Sequence, residues 1–242
     1  MDSIPSYNFK TGTTLLVDKP IGWTSFDVVN KLRYTIKRRL GVRKIKVGHA
    51  GTLDPLATGL LIICTGRFTK KLHEFQGLSK TYTGTLKLGA TTASFDAEEE
   101  ENETFPTEHI TTELIEEARR KFIGEIDQFP PIFSAIKVDG IPMYKRARDG
   151  QEVEMKSRQV VIHDFKITRF EGVEVDFEVS CSKGTYIRSL ANDFGKAVGS
   201  GAYLTALRRT KVQDFDIENA WNLEALLEYV EHSEKVIIDD FA

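Results

Sequence analysis

An α+β fold, with a mixed, mainly antiparallel sheet and flanking helices, is the architecture this sequence predicts. Three observations lead there. Short β-rich runs recur along the whole chain, two of them meet at a tight Glu171-Gly172 turn, and stretches with helical spacing of apolar residues lie scattered between them. Strands joined mostly by hairpins, with helices interspersed, belong to that class. In chain order, Thr14 to Asp18 reads as a strand. A helix follows from Ser25, with Ser25 as N-cap and Phe26, Val29, Leu32 and Ile36 on its inward face. Lys44 to Val47 and Leu60 to Cys64 read as strands, and Lys80 to Leu88 alternates as another. Thr112 to Phe122 is helical, with Leu114, Ile115, Ala118 and Phe122 inward and Gly124 just past its end. Phe133 to Val138, Val160 to Phe170 and Val173 to Ser180 are further strands. Thr185 to Val198 is a helix burying Ile187, Leu190, Ala191, Phe194 and Val198, with Gly199 as terminator, and a last helix spans Leu223 to Val230.

Composition bounds the class without naming it. The 242 residues, 40% hydrophobic and 29% charged, suit an ordinary globular protein with a proper core. No linker, repeat or low-complexity segment divides them, so residues 1–242 read as a single domain. No apolar stretch approaches the roughly 20 residues of a membrane span, and no basic region followed by an apolar core opens the chain, which points to the cytoplasm. Cys64 and Cys181 sit among apolar neighbours as buried free thiols. The five histidines are scattered and no C-x-x-C occurs, so no metal site is expected.

The net charge of −3 conceals a strong asymmetry. Residues 1–90 carry 15 Lys+Arg against 5 Asp+Glu, residues 91–180 carry 11 against 21, and residues 181–242 carry 7 against 10. The basic first third includes Lys31, Arg33, Lys37, Arg38, Arg39, Arg43, Lys44 and Lys46. Such a run is either a footprint for phosphates or a solvated helix face. The acidic stretch Asp96 to Glu103 reads as a mobile surface loop turned away from any polyanion.

The most informative string is Gly48-His49-Ala50-Gly51-Thr52-Leu53-Asp54-Pro55-Leu56-Ala57-Thr58-Gly59. It puts one carboxylate, Asp54, in a loop of small residues leading into the apolar run Leu60 to Cys64. A carboxylate on a rigid element with little bulk around it suits a nucleophile or general base. Asp-Pro by itself is more often a plain turn starter, and the residues alone leave both readings open. Five further strings accompany it. They are Leu15-Leu16-Val17-Asp18-Lys19-Pro20-Ile21-Gly22-Trp23-Thr24-Ser25, Lys80-Thr81-Tyr82, Pro130-Pro131-Ile132-Phe133-Ser134-Ala135-Ile136-Lys137, Gly184-Thr185-Tyr186-Ile187-Arg188, and Gly201-Ala202-Tyr203-Leu204-Thr205-Ala206-Leu207-Arg208-Arg209-Thr210.

In content, order and spacing these strings resemble the bacterial tRNA pseudouridine synthase B family, over roughly residues 14 to 220. The resemblance implies a pseudouridine synthase fold and isomerisation of uridine to pseudouridine at position 55 in the T-loop of tRNA, without a cofactor. The base is flipped out of the RNA into a pocket, at a cost of a few kcal/mol. It puts Asp54 in the nucleophile position and Arg188 beside it as its ion-pair partner. Tyr82 matches the tyrosine against the flipped base, Tyr186 a second pocket tyrosine and Leu207 an apolar wall. His49 matches a histidine that contacts the RNA, and Lys19 helps hold the strand at the substrate-binding site. Residues Asp127 to Gly150, with Lys137, Lys145, Arg146 and Arg148, match an insertion that clamps the RNA arm; a solvated strand-turn-helix connection is the alternative. Only about 20 residues follow Trp221, so a separate C-terminal RNA-binding domain is not expected. The partner implied is the T-arm of tRNA, with no protein partner and the enzyme a monomer. Two other readings stay open: a tRNA-binding folding chaperone with vestigial catalysis, and the same reaction on another RNA. The intact set Asp54, Tyr82, Tyr186 and Arg188 favours the enzyme over the chaperone.

Overall fold

The computed structural model describes residues 6–131, 137–138, 141–142 and 156–232. Most of the 127–150 insertion, including Lys145, Arg146 and Arg148, lies outside the described residues, as does the Lys137 side chain. The first part of the chain runs β1 (Thr14–Lys19), α1 (Ser25–Leu40), β2 (Val47–Ala50), β3 (Ala57–Thr65), a 3-10 turn at Gly66–Lys71 and α2 (Leu72–Gln76). Then follow β4 (Lys80–Leu88), β5 (Ala90–Thr92), β6 (Glu101–Thr104), α3 (Thr112–Arg120), β7 (Gly124–Gln128), β8 (Lys137–Val138) and β9 (Ile141–Pro142). The last part comprises β10 (Arg158–Glu171), β11 (Glu174–Cys181), α4 (Ile187–Ala197), β12 (Ala202–Val212), β13 (Phe215–Asp216), β14 (Trp221–Asn222) and α5 (Leu223–His232). The chain divides into two compact units, one of residues 1–80 with 208–242 and one of residues 81–207.

In the first unit β3 is the central strand. It pairs antiparallel with β1, Leu16 opposite Ile62, and with β2, His49 opposite Ile63, while β1 runs parallel to β14. Leu61 and Ile63 face a core built with Val28, Val29, Leu32 and Ile36 of α1 and Leu226 and Val230 of α5. Leu60 and Ile62 face the other way, against Val212 and, from α2, Leu72 and Phe75. Burial on both faces explains why β3 reads as an unbroken apolar run and not as an alternating one. The run continues as strand to Thr65 and starts at Ala57, longer than the expected Leu60 to Cys64. The expected Lys44 to Val47 strand is displaced to Val47–Ala50.

Two details of α1 correct the sequence reading. Thr24, not Ser25, is the N-cap: its hydroxyl accepts from Asp27 N at 3.0 Å, and Asp27 Oδ2 accepts from Thr24 N at 2.9 Å, a reciprocal capping box. Ser25 is buried one residue further in. Phe26 lies outward, 61% exposed, and Val28 takes the inward place assigned to it. The buried stripe 28, 29, 32, 35, 36 follows the 3.6-residue repeat, and a phenylalanine at 26 falls off it.

In the second unit β10 pairs antiparallel with β11 and with β7, and β4 neighbours both β11 and the N-terminal half of β12. The β10–β11 hairpin turns where Glu171-Gly172 predicted it. Its aromatic core stacks Phe165 edge-on against Phe177 and Phe194, and Phe122 against Phe194. Cys64 in the first unit and Cys181 in the second are buried free thiols.

The acidic stretch is not a surface loop throughout. Asp96 is buried, and Glu101–Thr104 form β6, which pairs with β5. Asp96 Oδ1 accepts from Ser94 Oγ at 2.5 Å and from Glu98 N at 3.1 Å, and Glu101 meets Lys87 and Tyr203, both at 2.7 Å. Hydrogen bonding to fixed donors is what allows the first carboxylate of a charged run to go inside.

The two faces of α1 separate in a stability measurement. Leu32→Ala is expected to cost about 2–5 kcal/mol in urea unfolding, and Phe26→Ala less than about 0.5 kcal/mol. Equal costs would contradict the assigned face.

Candidate active site

The Asp54 loop lies between β2 and β3, and its backbone is held from several sides within the first unit. Lys19, fully buried at the end of β1, donates through Nζ to the carbonyls of Pro20 at 3.0 Å, Trp23 at 2.5 Å and Pro55 at 3.4 Å. Gly22 N also donates to Pro55 O, at 2.9 Å. Ser25 Oγ accepts from Leu53 N at 2.8 Å and donates to Leu53 O at 3.2 Å. Ala57 N closes a turn onto Asp54 O at 3.1 Å. The residues on either side of Asp54 are therefore tethered, Leu53 to the first turn of α1 and Pro55 to the 19–22 segment. Charged donors onto buried carbonyls are worth more than neutral pairs, about 1.5–3 kcal/mol each. Asp54 itself is partly exposed.

Two arginines follow one another on β12 and serve different ends. Arg208 grips the Asp18 carboxylate bidentately, at 3.0 and 2.7 Å, and reaches Thr58 Oγ1 at 3.3 Å. Arg209 is 1% exposed and donates from Nε to Leu60 O at 2.7 Å and from Nη2 to Gly51 O at 3.1 Å. The strand passes so close that a Cβ on Gly59 would lie 2.3 Å from Arg209 O, and Gly59 has φ +103°. Only glycine satisfies both demands. The sequence reading missed both arginines; nothing in spacing distinguishes a buried arginine from an RNA-facing one.

His49, on β2, is partly buried. Burial first, and the Arg209 charge second, push its imidazole below the ordinary histidine range, with the Gly51 backbone pulling the other way. It is thus held neutral.

The other expected site residues belong to the second unit. Tyr82 is buried on β4, and Leu207 is half-buried near the middle of β12. Those strands are tied by Thr205 Oγ1 donating to Thr85 O at 3.1 Å. Tyr186 caps α4. Its N–H donates to Gln128 Oε1 at 2.7 Å and its carbonyl accepts from Gln128 Nε2 at 3.0 Å, a two-way clamp by a buried amide. The Arg158 guanidinium lies over its ring, 4.8 Å from the centroid. Arg188, in the first turn of α4, is buried; it donates from Nη1 to Ser94 O at 3.1 Å and sits 3.5 Å from Asp96 Oδ2. The residue that opens the supposed surface loop is thus a carboxylate partner of Arg188. A guanidinium at a helix start opposes the helix dipole, and Asp96 compensates. Gln128, Arg158 and Asp96 were not singled out for the site in the sequence, since each acts through a tertiary contact.

Among the described residues no group of three or more His, Cys, Asp or Glu side chains is placed to hold a metal ion, and no helix is long and apolar enough to cross a membrane.

Among solved structures, this chain is similar to one in a crystal structure of a Cbf5-Nop10-Gar1 complex, with TM-score 0.69 and 28% identity, and to one in an H/ACA RNP bound to a substrate RNA containing 2'-deoxyuridine, with TM-score 0.66 and 26% identity. The alignments cover 92% and 91% of this chain but 55% and 54% of those chains, so it spans about half their length. The fold is that of the pseudouridine synthases. A family model described as "TruB family pseudouridylate synthase (N terminal domain)" matches residues 37–187, and one described as "tRNA pseudouridylate synthase B C-terminal domain" matches residues 188–240. Identity is 60% with the tRNA pseudouridine synthase B of Flavobacterium johnsoniae, over 86% of this chain and 92% of that one. It is 56% with that of Phocaeicola vulgatus, over 94% and 97%. The chain belongs to the TruB family of pseudouridylate synthases.

Because His49 is neutral when folded, the unfolded chain takes up its proton first. Its contribution to stability is complete above about pH 6.5, the ordinary histidine value, and is lost as pH falls toward the depressed folded value. Urea titrations between about pH 6.5 and 5 should show a shallower acid loss for His49→Gln than for wild type, by at most about 1.4 kcal/mol per pH unit. Identical slopes would mean the imidazole is not depressed.

Proposed function

We propose that this protein isomerises uridine to pseudouridine in tRNA, at position 55 of the T-loop, with Asp54 as nucleophile. Family membership is the observation that carries the reading, with relatives named tRNA pseudouridine synthase B 60% and 56% identical over most of the chain. The tethered Asp54 loop supports it: fixed on both sides of the carboxylate, it meets the demand that a reacting group be held by its surroundings. The reaction breaks the bond from the ribose to N1 of the base, turns the base and rejoins it through C5. The C5 proton is lost and N1 gains one, so atoms balance with no oxidant, cofactor or metal. On this reading the base is flipped from the T-arm into a pocket between Tyr82, Tyr186 and Leu207, at a cost of a few kcal/mol. Arg188 takes on this reading the role that the family resemblance implies, partner of the Asp54 carboxylate; an adjacent guanidinium typically favours the charged form of a carboxyl group. Asp96 and the Ser94 carbonyl hold Arg188 for that task. Neutral His49 contacts the RNA, and Lys19 holds the loop from beneath. The protein works as a monomer in the cytoplasm, as one catalytic domain, and residues 127–150 clamp the RNA arm.

Asp54→Asn separates this from a folding chaperone with vestigial catalysis. The amide is nearly isosteric and a far poorer nucleophile. The variant is expected to bind tRNA with about the wild-type affinity and to form no detectable pseudouridine when an unmodified transcript is mapped; turnover within about tenfold of wild type would sink the assignment.

The basic first third supplies phosphate contacts on this reading, but its members are not equivalent. Arg33 donates to Asn30 Oδ1 and Val47 O, and Arg38 pairs with Glu231, so both serve the fold. Arg43 and Lys44 are exposed. Reversing both charges should flatten the slope of log affinity against log salt by about 1–2. An unchanged slope would make them a solvated face.

A further inference from the structure

Arg209 is bonded to both ends of the Asp54 loop. Its Nη2 holds Gly51 O, where the chain leaves β2, and its Nε holds Leu60 O, where β3 has begun. The guanidinium is a rigid plane, so its two donors fix the separation of those carbonyls in a way a lysine's single point charge cannot. Its backbone presses against Gly59, which removes slack from the same end of the loop. Lys19 and Ser25 hold Pro55 and Leu53, inside the loop, whereas Arg209 bonds to residues on either side of it. In an RNA-modifying chain an Arg-Arg pair on a strand invites a phosphate-binding reading. The neighbour Arg208 is 40% exposed and paired with Asp18, whereas Arg209 is enclosed.

We propose that Arg209 is a positioning residue, a buried staple that sets the height and direction of the Asp54 carboxylate toward the reacting nucleoside, and not a contact for RNA. The inference rests on Asp54 being the nucleophile, as proposed above. A reacting group displaced by about 1 Å loses on the order of 10²-fold in rate. Releasing one end of the eight residues between Gly51 and Leu60 permits such a displacement while leaving the RNA-facing surface as it was. The charge of Arg209 also helps keep His49 neutral, so one side chain tunes two members of the site.

The test compares wild type, Asp54→Asn and Arg209→Lys in one single-turnover assay on an unmodified tRNA transcript, with enzyme in excess and affinity measured separately. Arg209→Lys keeps the charge and loses the fork. Its tRNA affinity is expected within about threefold of wild type, and its rate per bound complex lower by on the order of 10²-fold. Only folded protein forms the complex, so partial unfolding does not imitate the effect. If Arg209→Lys yields no tRNA-binding protein, Arg209→Gln at low temperature takes its place, since it keeps a donor for one carbonyl. A rate within about threefold of wild type, or a loss that appears only in affinity, overturns the inference while leaving Asp54 in place. If Asp54→Asn turns over within about tenfold of wild type, the nucleophile reading falls and the inference with it.

Discussion

Buried cations bonded to backbone carbonyls hold the Asp54 loop, and the proposed chemistry depends on that arrangement. A loop of small residues has little side-chain packing to fix it, and its conformational entropy works against any single shape. Lys19 and Arg209 supply the restraint from below, each with no appreciable exposure and each donating to more than one backbone carbonyl. The glycines at 51 and 59 permit the close approach; at Gly59 any side chain would collide with the Arg209 backbone. Small residues and buried cations are thus two halves of one device: the first lets the chain come near, the second holds it there.

The second unit repeats the device with a different vocabulary. Tyr186 and Arg188 sit at the start of α4, where backbone N–H groups lack helical partners. Gln128 takes the Tyr186 N–H and returns a donor to its carbonyl, and Asp96 and Ser94 hold the Arg188 guanidinium. Tyr186 and Arg188 are thus each backed by a buried polar partner on another segment. Such partners are costly to bury and contribute orientation more than stability.

The charge distribution follows the same division of labour. Part of the basic first third is consumed internally: Arg33 ties α1 to β2, and Arg38 pairs with α5. In the acidic middle third, Asp96 goes inside to face a cation and Glu101 pairs with Lys87 on the surface. A count of charges along the chain therefore overstates what is left for a polyanion.

The sequence by itself determined the α+β class, the β10–β11 hairpin, the apolar β3 and the residues of the motif strings, because those depend on local periodicity, turn chemistry and residue order. It also carried the family resemblance, which the family match bears out over most of the chain. What it did not carry was the inner face of α1 at Phe26, the true N-cap, the burial of Asp96 and the roles of Gln128, Arg158 and Arg209. A phenylalanine at a helix start has the same local preference whichever way it points, and a charged residue has no local signature that says it will be buried. Those outcomes were decided by the tertiary structure, because the partners that make them favourable, such as Arg188 for Asp96 and the Gly51 and Leu60 carbonyls for Arg209, lie about 90 to 160 positions away along the chain and meet only when the sheets form.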